Sequence, residues 1–199
     1  MIAIIDYGAG NLKSVKKAFD YLNIECHIAT DVGQLKHAER IVLPGVGAFG
    51  AAVKRLHESG FFDAIVEWIR ADKPFFGICL GMQLLMESSS ESSGVGGLSA
   101  LKGHCDRFQT GKVPQIGWNC ITKKKDSPLM HDIPDATYFY FLHGYYIVPE
   151  DAGCVAAVTD YDITYASVIE RGNLRAVQFH PEKSGDKGLQ LLKNWVELC

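Results

Sequence analysis

Pro74-Phe75-Phe76-Gly77-Ile78-Cys79-Leu80-Gly81-Met82-Gln83 is the stretch on which the reading of this chain turns. An apolar run that breaks at a cysteine between two glycines, then resumes as Leu80 to Glu87, reads as strand, sharp turn and helix. Gly77 and Gly81 stand two residues either side of Cys79 and let the backbone make that turn. The Leu80 N–H then falls at the first helical position, where it has no partner within the helix. It is free to serve an oxyanion, and the helix end favours a thiolate. A lone cysteine in a strand reads as core. The glycine pair, Gln83 and a second motif far down the chain reverse that reading.

The second motif is His180-Pro181-Glu182, at the end of the apolar run Leu174 to Phe179. Pro181 disfavours helix at His180. In an extended chain, residues two apart share a face, which would put His180 and Glu182 on one cleft wall. A thiol, a histidine and an acid are what acyl transfer through a thioester requires: one attacks, one moves the proton, one orients the imidazole. By itself His-Pro-Glu also fits a strand-end turn with surface polar groups.

Around these motifs the chain alternates. Ile2 to Ile5, Glu25 to Ala29, Arg40 to Leu43 and Pro74 to Ile78 read as strands. Leu12 to Leu22 and Ala51 to Ile69 read as helices, the second broken near Ser59-Gly60. That pattern predicts an α/β fold with a central mixed, largely parallel sheet flanked by helices. After the Ser- and Gly-rich loop from Ser88 to Gly97, short strands follow: Gly103 to Phe108, Ile116 to Cys120, Tyr138 to Leu142, Val155 to Thr159, Tyr165 to Glu170 and Leu174 to Phe179. Turn signals between them predict a strand-rich C-terminal half with antiparallel pairs, sharing the sheet of the first half. Lys187 to Leu198 closes the chain as an amphipathic helix.

Two glycine-bearing turns need a reading. Pro44-Gly45-Val46-Gly47 follows a strand, and its N–H groups, with that of Leu80, suit an oxyanion. It also fits a plain βα turn or a phosphate cradle, although no P-loop lysine follows. Asp6-Tyr7-Gly8-Ala9-Gly10-Asn11 lacks the third glycine of a dinucleotide loop, and that reading is rejected. His143, between an apolar strand and Gly144, is placed to line a pocket.

Composition sets the outer limits. The 199 residues carry a formal charge of −3 and 47% hydrophobic residues, so one domain with a well-filled core is expected. No general field for nucleic acid exists, and Lys123-Lys124-Lys125 reads as a solvated turn. No apolar run is long enough to span a membrane. MIAIIDYG reads as a buried strand and not as a signal peptide. The six cysteines show no CxxC spacing and the seven histidines no metal spacing. No metal or cofactor is expected, and a reactive thiol points to a reducing cytoplasm.

Taken together, the blocks resemble class I glutamine amidotransferases, and among them the glutaminase subunits of imidazole glycerol phosphate synthases. The resemblance runs over residues 1–199 as a single amidotransferase domain. Asp6–Asn11, Pro44–Gly47, Gly77–Gln83, Pro114–Asn119, Tyr138–Tyr145 and Gln178–Glu182 carry it. It implies Cys79, His180 and Glu182 as catalytic residues, Val46, Gly47 and Leu80 as oxyanion donors, and Gln83, His143, Gly144 and Tyr145 near the glutamine. It also implies a (βα)8-barrel cyclase as heterodimer partner, ammonia passing inside it to make imidazole glycerol phosphate, and low activity until the partner is loaded. The family pattern has Ser or Thr where this chain has Gly144, which removes a hydroxyl near the amino-acid site. Two alternatives stand beside this reading. One is a paralogous glutaminase feeding sugar amidation, and the other is a freestanding cysteine hydrolase.

Overall fold

A computed structural model describes residues 1–199. The first half contains β1 (Ile2–Ile5), α1 (Leu12–Tyr21), β2 (Cys26–Ala29), β3 (Arg40–Gly45), α2 (Phe49–Glu58), α3 (Phe61–Arg70), β4 (Phe75–Cys79) and α4 (Leu80–Gln83). The second half contains β5 (Ser88–Ser89), β6 (Gly103–Arg107), β7 (Gln115–Cys120), β8 (Thr122–Lys123), β9 (Tyr138–His143) and β10 (Tyr145–Pro149). It continues with β11 (Val155–Tyr161), β12 (Ile163–Arg171), β13 (Leu174–Val177) and α5 (Gly185–Leu198).

Both halves share one eight-stranded sheet, in the order β2-β1-β3-β4-β13-β12-β11-β8. The strands from β2 to β13 in that order are parallel, and β12, β11 and β8 continue it antiparallel. β1 and β4 are buried along their whole length, as central strands covered on both faces must be. The apolar side chains form one cluster on each face of the sheet. Not every strand of the second half joins that sheet. β10, β6 and β5 form a three-stranded sheet, and β7 pairs with β9 in a ribbon of two.

Local chemistry explains the element ends. Asn11 caps α1 by accepting from the Ser14 N–H. Gly60, at φ +74, makes the left-handed break between α2 and α3 that the sequence marks near Ser59-Gly60. The C-terminus of α5 is tied down by Arg40, whose guanidinium donates to the carbonyls of Val196 at 2.9 Å and Cys199 at 2.7 Å. Trp195 on the inner face of α5 is fully buried against Phe76, ring centroids 5.1 Å apart.

Two expectations change. The helix after Cys79 is one turn, Leu80–Gln83, and not a run to Glu87. Leu84, Leu85 and Met86 are all fully buried. An all-apolar run has no solvent face to turn outward, so the chain stays in the core as turns. His180 is extended, but Glu182 lies in a 3₁₀ turn, Pro181–Lys183, instead of the next outward step of a strand. Pro181 explains it, since its fixed φ suits the first position of a helical turn.

Candidate active site

Register brings three chain segments to one place. Gly45 on β3 pairs with Cys79 on β4, and Val177 on β13 pairs with Ile78. The ends of β3, β4 and β13 therefore meet at the carboxyl edge of the parallel sheet, where ligands bind in open α/β folds. A cleft of about 470 Å³ opens there. Cys79, Leu80, Gln83, Val46 and Gly47 line it, facing Leu142, His143, Gly144 and Tyr145.

Cys79 has φ +54 and ψ −108, a conformation that non-glycine residues seldom adopt. The turn is possible because Gly81 carries no side chain: a Cβ there would lie 1.9 Å from the Leu43 carbonyl oxygen. Gly77 is confined too: a Cβ there would lie 2.9 Å from the Gly81 carbonyl oxygen. The two glycines around the cysteine are thus a packing requirement of the elbow.

His180 and Glu182 lie beside this thiol. Both side chains are almost completely buried, and His180 Nδ1 is 2.9 Å from Glu182 Oε1. Burial alone pulls the His180 pKa down. The Cys79 sulfur, followed by Glu182, outweighs it and pushes the value up to about 10. Nε2 of His180 and Oε2 of Glu182 are buried without hydrogen-bond partners. The imidazole therefore has one nitrogen held by the acid and one free for proton transfer. Gly47, at φ +98, has open space where a Cβ would stand.

Gln83, His143, Gly144 and Tyr145 share the cleft but not in equal roles. Gln83 Nε2 donates to the Tyr145 carbonyl at 2.8 Å and to Gln178 Oε1 at 3.2 Å. His143 Nδ1 donates to the same carbonyl at 2.8 Å, and its Nε2 is 3.2 Å from the Tyr165 hydroxyl. Burial holds the His143 pKa down at about 4, so the ring is neutral. Gln83 and His143 thus brace the wall, which leaves main-chain groups and the space at Gly144 to face a ligand. A Cβ on Gly144 would make ordinary contact with Val113 Cγ1 at 3.4 Å.

Three residues of the site escape sequence reasoning. Gln178 Nε2 lies 3.7 Å from the Cys79 sulfur and is fully buried. The signal was a lone amide in an apolar strand. Glu91 and Arg107 place one charge of each sign in the cleft. Glu91 Oε2 also accepts from the Phe49 N–H at the start of α2. It sits within the Ser- and Gly-rich loop, where nothing in the local pattern marks it.

A cysteine at a strained strand–helix turn, with a buried imidazole–carboxylate pair beside it, is an arrangement suited to acyl transfer through a thioester. The model of the family "Glutamine amidotransferase class-I" matches residues 3–198. Imidazole glycerol phosphate synthase subunit HisH of Chlorobaculum tepidum is 47% identical, over 99% of this chain and 100% of that protein. The subunit of the same name from Thermococcus kodakarensis is 46% identical, with both chains covered in full. Among solved structures, a glutamine amidotransferase superposes with TM-score 0.79 at 18% identity, covering 100% of this chain and 98% of that one. A chain of PurLQS from Thermotoga maritima gives 0.78 at 18% identity, covering 98% and 96%. These two likenesses concern the fold. The chain belongs to the class I glutamine amidotransferases, within the group of HisH subunits. It is an enzyme, a glutaminase.

Proposed function

We propose that this protein hydrolyses glutamine through a thioester on Cys79 and passes the ammonia to a (βα)8-barrel cyclase that makes imidazole glycerol phosphate in histidine biosynthesis. The observation that carries the reading is the strained Cys79 facing a 470 Å³ cleft, with the His180–Glu182 pair at 2.9 Å behind it. His180 takes the Cys79 thiol proton as the sulfur attacks the side-chain carbonyl carbon of glutamine, and the carbonyl electrons move to oxygen. N–H groups of Val46 or Gly47 and of Leu80 stabilise that oxyanion. As the intermediate collapses, the C–N bond breaks and His180 protonates the departing nitrogen. Water then attacks the thioester, His180 takes its proton, and glutamate leaves as the sulfur is released. Glu182 keeps the imidazole oriented throughout. Glu91 and Arg107 are suited to the two charges of the amino-acid end. Free thiol chemistry of this kind fits a reducing cytoplasm.

An exposed apolar patch supports the partner. Ile116, Trp118 and Tyr138, on the β7–β9 ribbon, are 54%, 56% and 59% exposed. Large exposed aromatics grouped in this way suit a protein interface.

The test is glutamine turnover by the chain alone, with an empty barrel cyclase, and with a cyclase holding its ribotide acceptor. Activity that rises on addition of the loaded cyclase, together with imidazole glycerol phosphate formation, supports the reading. Turnover stimulated only by a sugar-amidating partner would replace the acceptor. Full activity of the chain alone would remove the gating.

A further inference from the structure

The turn Asp6–Asn11 lies against the back of the strand that ends in Pro44-Gly45-Val46-Gly47. A Cβ on Gly10 would be 3.5 Å from the Pro44 carbonyl, and one on Gly45 would be 2.6 Å from the Tyr7 hydroxyl. Two residues of the turn therefore press on two consecutive residues of the strand. The turn itself is held fast: Asp6 Oδ1 accepts from the Gly8 N–H at 2.9 Å, and Arg55 donates to the Gly8 carbonyl. Tyr7 is 3% exposed, packed in the apolar cluster with Leu43, Phe49 and Leu80. Its hydroxyl has no hydrogen-bond partner. A buried phenol left unpaired is a cost that a phenylalanine would avoid.

We infer that Tyr7 is a positioning residue for the oxyanion strand: its hydroxyl donates to the Gly45 carbonyl when the Gly45–Val46 peptide turns its N–H toward the tetrahedral intermediate. A peptide unit is planar, so the two ends exchange sides together. As the Val46 N–H swings into the cleft, the Gly45 carbonyl swings the opposite way, and the Tyr7 hydroxyl, which lies beside Gly45, is the donor that meets it. Gly45 has no side chain to stand between that carbonyl and the phenol, and Gly47 allows the backbone to rotate. Burial, then the nearby Cys79 sulfur, holds the Tyr7 pKa above the ordinary phenol range, so the donor keeps its proton.

The experiment is Tyr7→Phe in the full chain, alone and with the cyclase, with glutamine as substrate. The variant should have a Tm equal to or above wild type, and KM and the rate of Cys79 alkylation by iodoacetamide within about twofold. Its kcat should fall by about 10- to 100-fold, short of the loss of an oxyanion donor itself. A kcat within about twofold of wild type overturns the inference. So does an alkylation rate that falls in step with kcat, which would put Tyr7 on the thiol. A drop in both Tm and kcat overturns it too, because the hydroxyl would then be bonded in the resting fold. The inference rests on the glutaminase reading above. A wild-type chain that hydrolyses no glutamine under any partner condition ends both, whereas an active wild type equalled by Tyr7→Phe ends this inference alone.

Discussion

Gln83 Nε2 and the Tyr145 carbonyl are 2.8 Å apart, and this bond ties α4 to the opposite wall of the cleft. The same amide reaches Gln178, whose own Nε2 lies 3.7 Å from the Cys79 sulfur. One side chain therefore links the opposite wall of the cleft to the surroundings of the Cys79 sulfur. Replacing Gln83 by Leu leaves Gln178 Oε1 unpartnered in an apolar setting. Urea unfolding should show a loss of about 1–3 kcal/mol, with KM for glutamine raised. A variant as stable as wild type, with unchanged KM, would mean that the bond does not shape the cleft.

Cys79 and Cys105 are both buried, but their settings differ. Cys105 faces the Gln83 carbonyl, and burial pushes its thiol pKa far up. A glutamine-analogue electrophile should add once per chain, at Cys79. Cys79→Ser should lose glutamine hydrolysis while a loaded cyclase still forms product from free ammonia. Peptide mapping that places the label on Cys105 would refute the nucleophile.

The His180–Glu182 pair predicts a pH effect. The His180 pKa is raised to about 10, so its contribution to stability is present below about pH 6.5 and is lost as pH rises through 10. Activity that needs the imidazolium should fall over the same alkaline range. Glu182→Gln removes the negative charge beside the ring and should move that limb to lower pH, with a smaller loss of kcat than His180→Ala. The latter should lose about 10²–10⁴-fold. An alkaline limb unmoved in Glu182→Gln would show that the carboxylate does not hold the ring.

His143 predicts the opposite trend. Its folded pKa is depressed to about 4, and both states are neutral above about pH 6.5. Between those values the unfolded chain binds a proton that the buried ring refuses, so stability falls as pH falls. The loss from this group approaches about 3 kcal/mol at pH 4. His143→Phe should flatten that part of the stability curve, as measured by urea unfolding between pH 7.5 and 4.5. A curve of unchanged steepness would mean that the ring is not kept neutral by the fold.

Local pattern alone determined the alternation of β1 to β4 with helices, the strand–cysteine–helix turn and the break at Gly60. These depend on near neighbours: apolar periodicity, a proline, a glycine forced into positive φ. The same reasoning marked Cys79, His180 and Glu182, because their motifs stand at strand ends. Tertiary structure decided what depends on distant neighbours. Leu80 to Glu87 has helical character, but burial on every side stops the helix after one turn. Glu91 lies 12 positions beyond the cysteine in a loop of Ser and Gly, and only the fold carries it into the cleft. Gln178 looks like one polar residue in a core strand until the parallel pairing of β13 with β4 sets it beside the sulfur. Tyr7 likewise acquires meaning only when β1 pairs beside β3 and brings the turn after it to Gly45. Register and packing create these contacts between segments distant in the chain, and no local spacing encodes them.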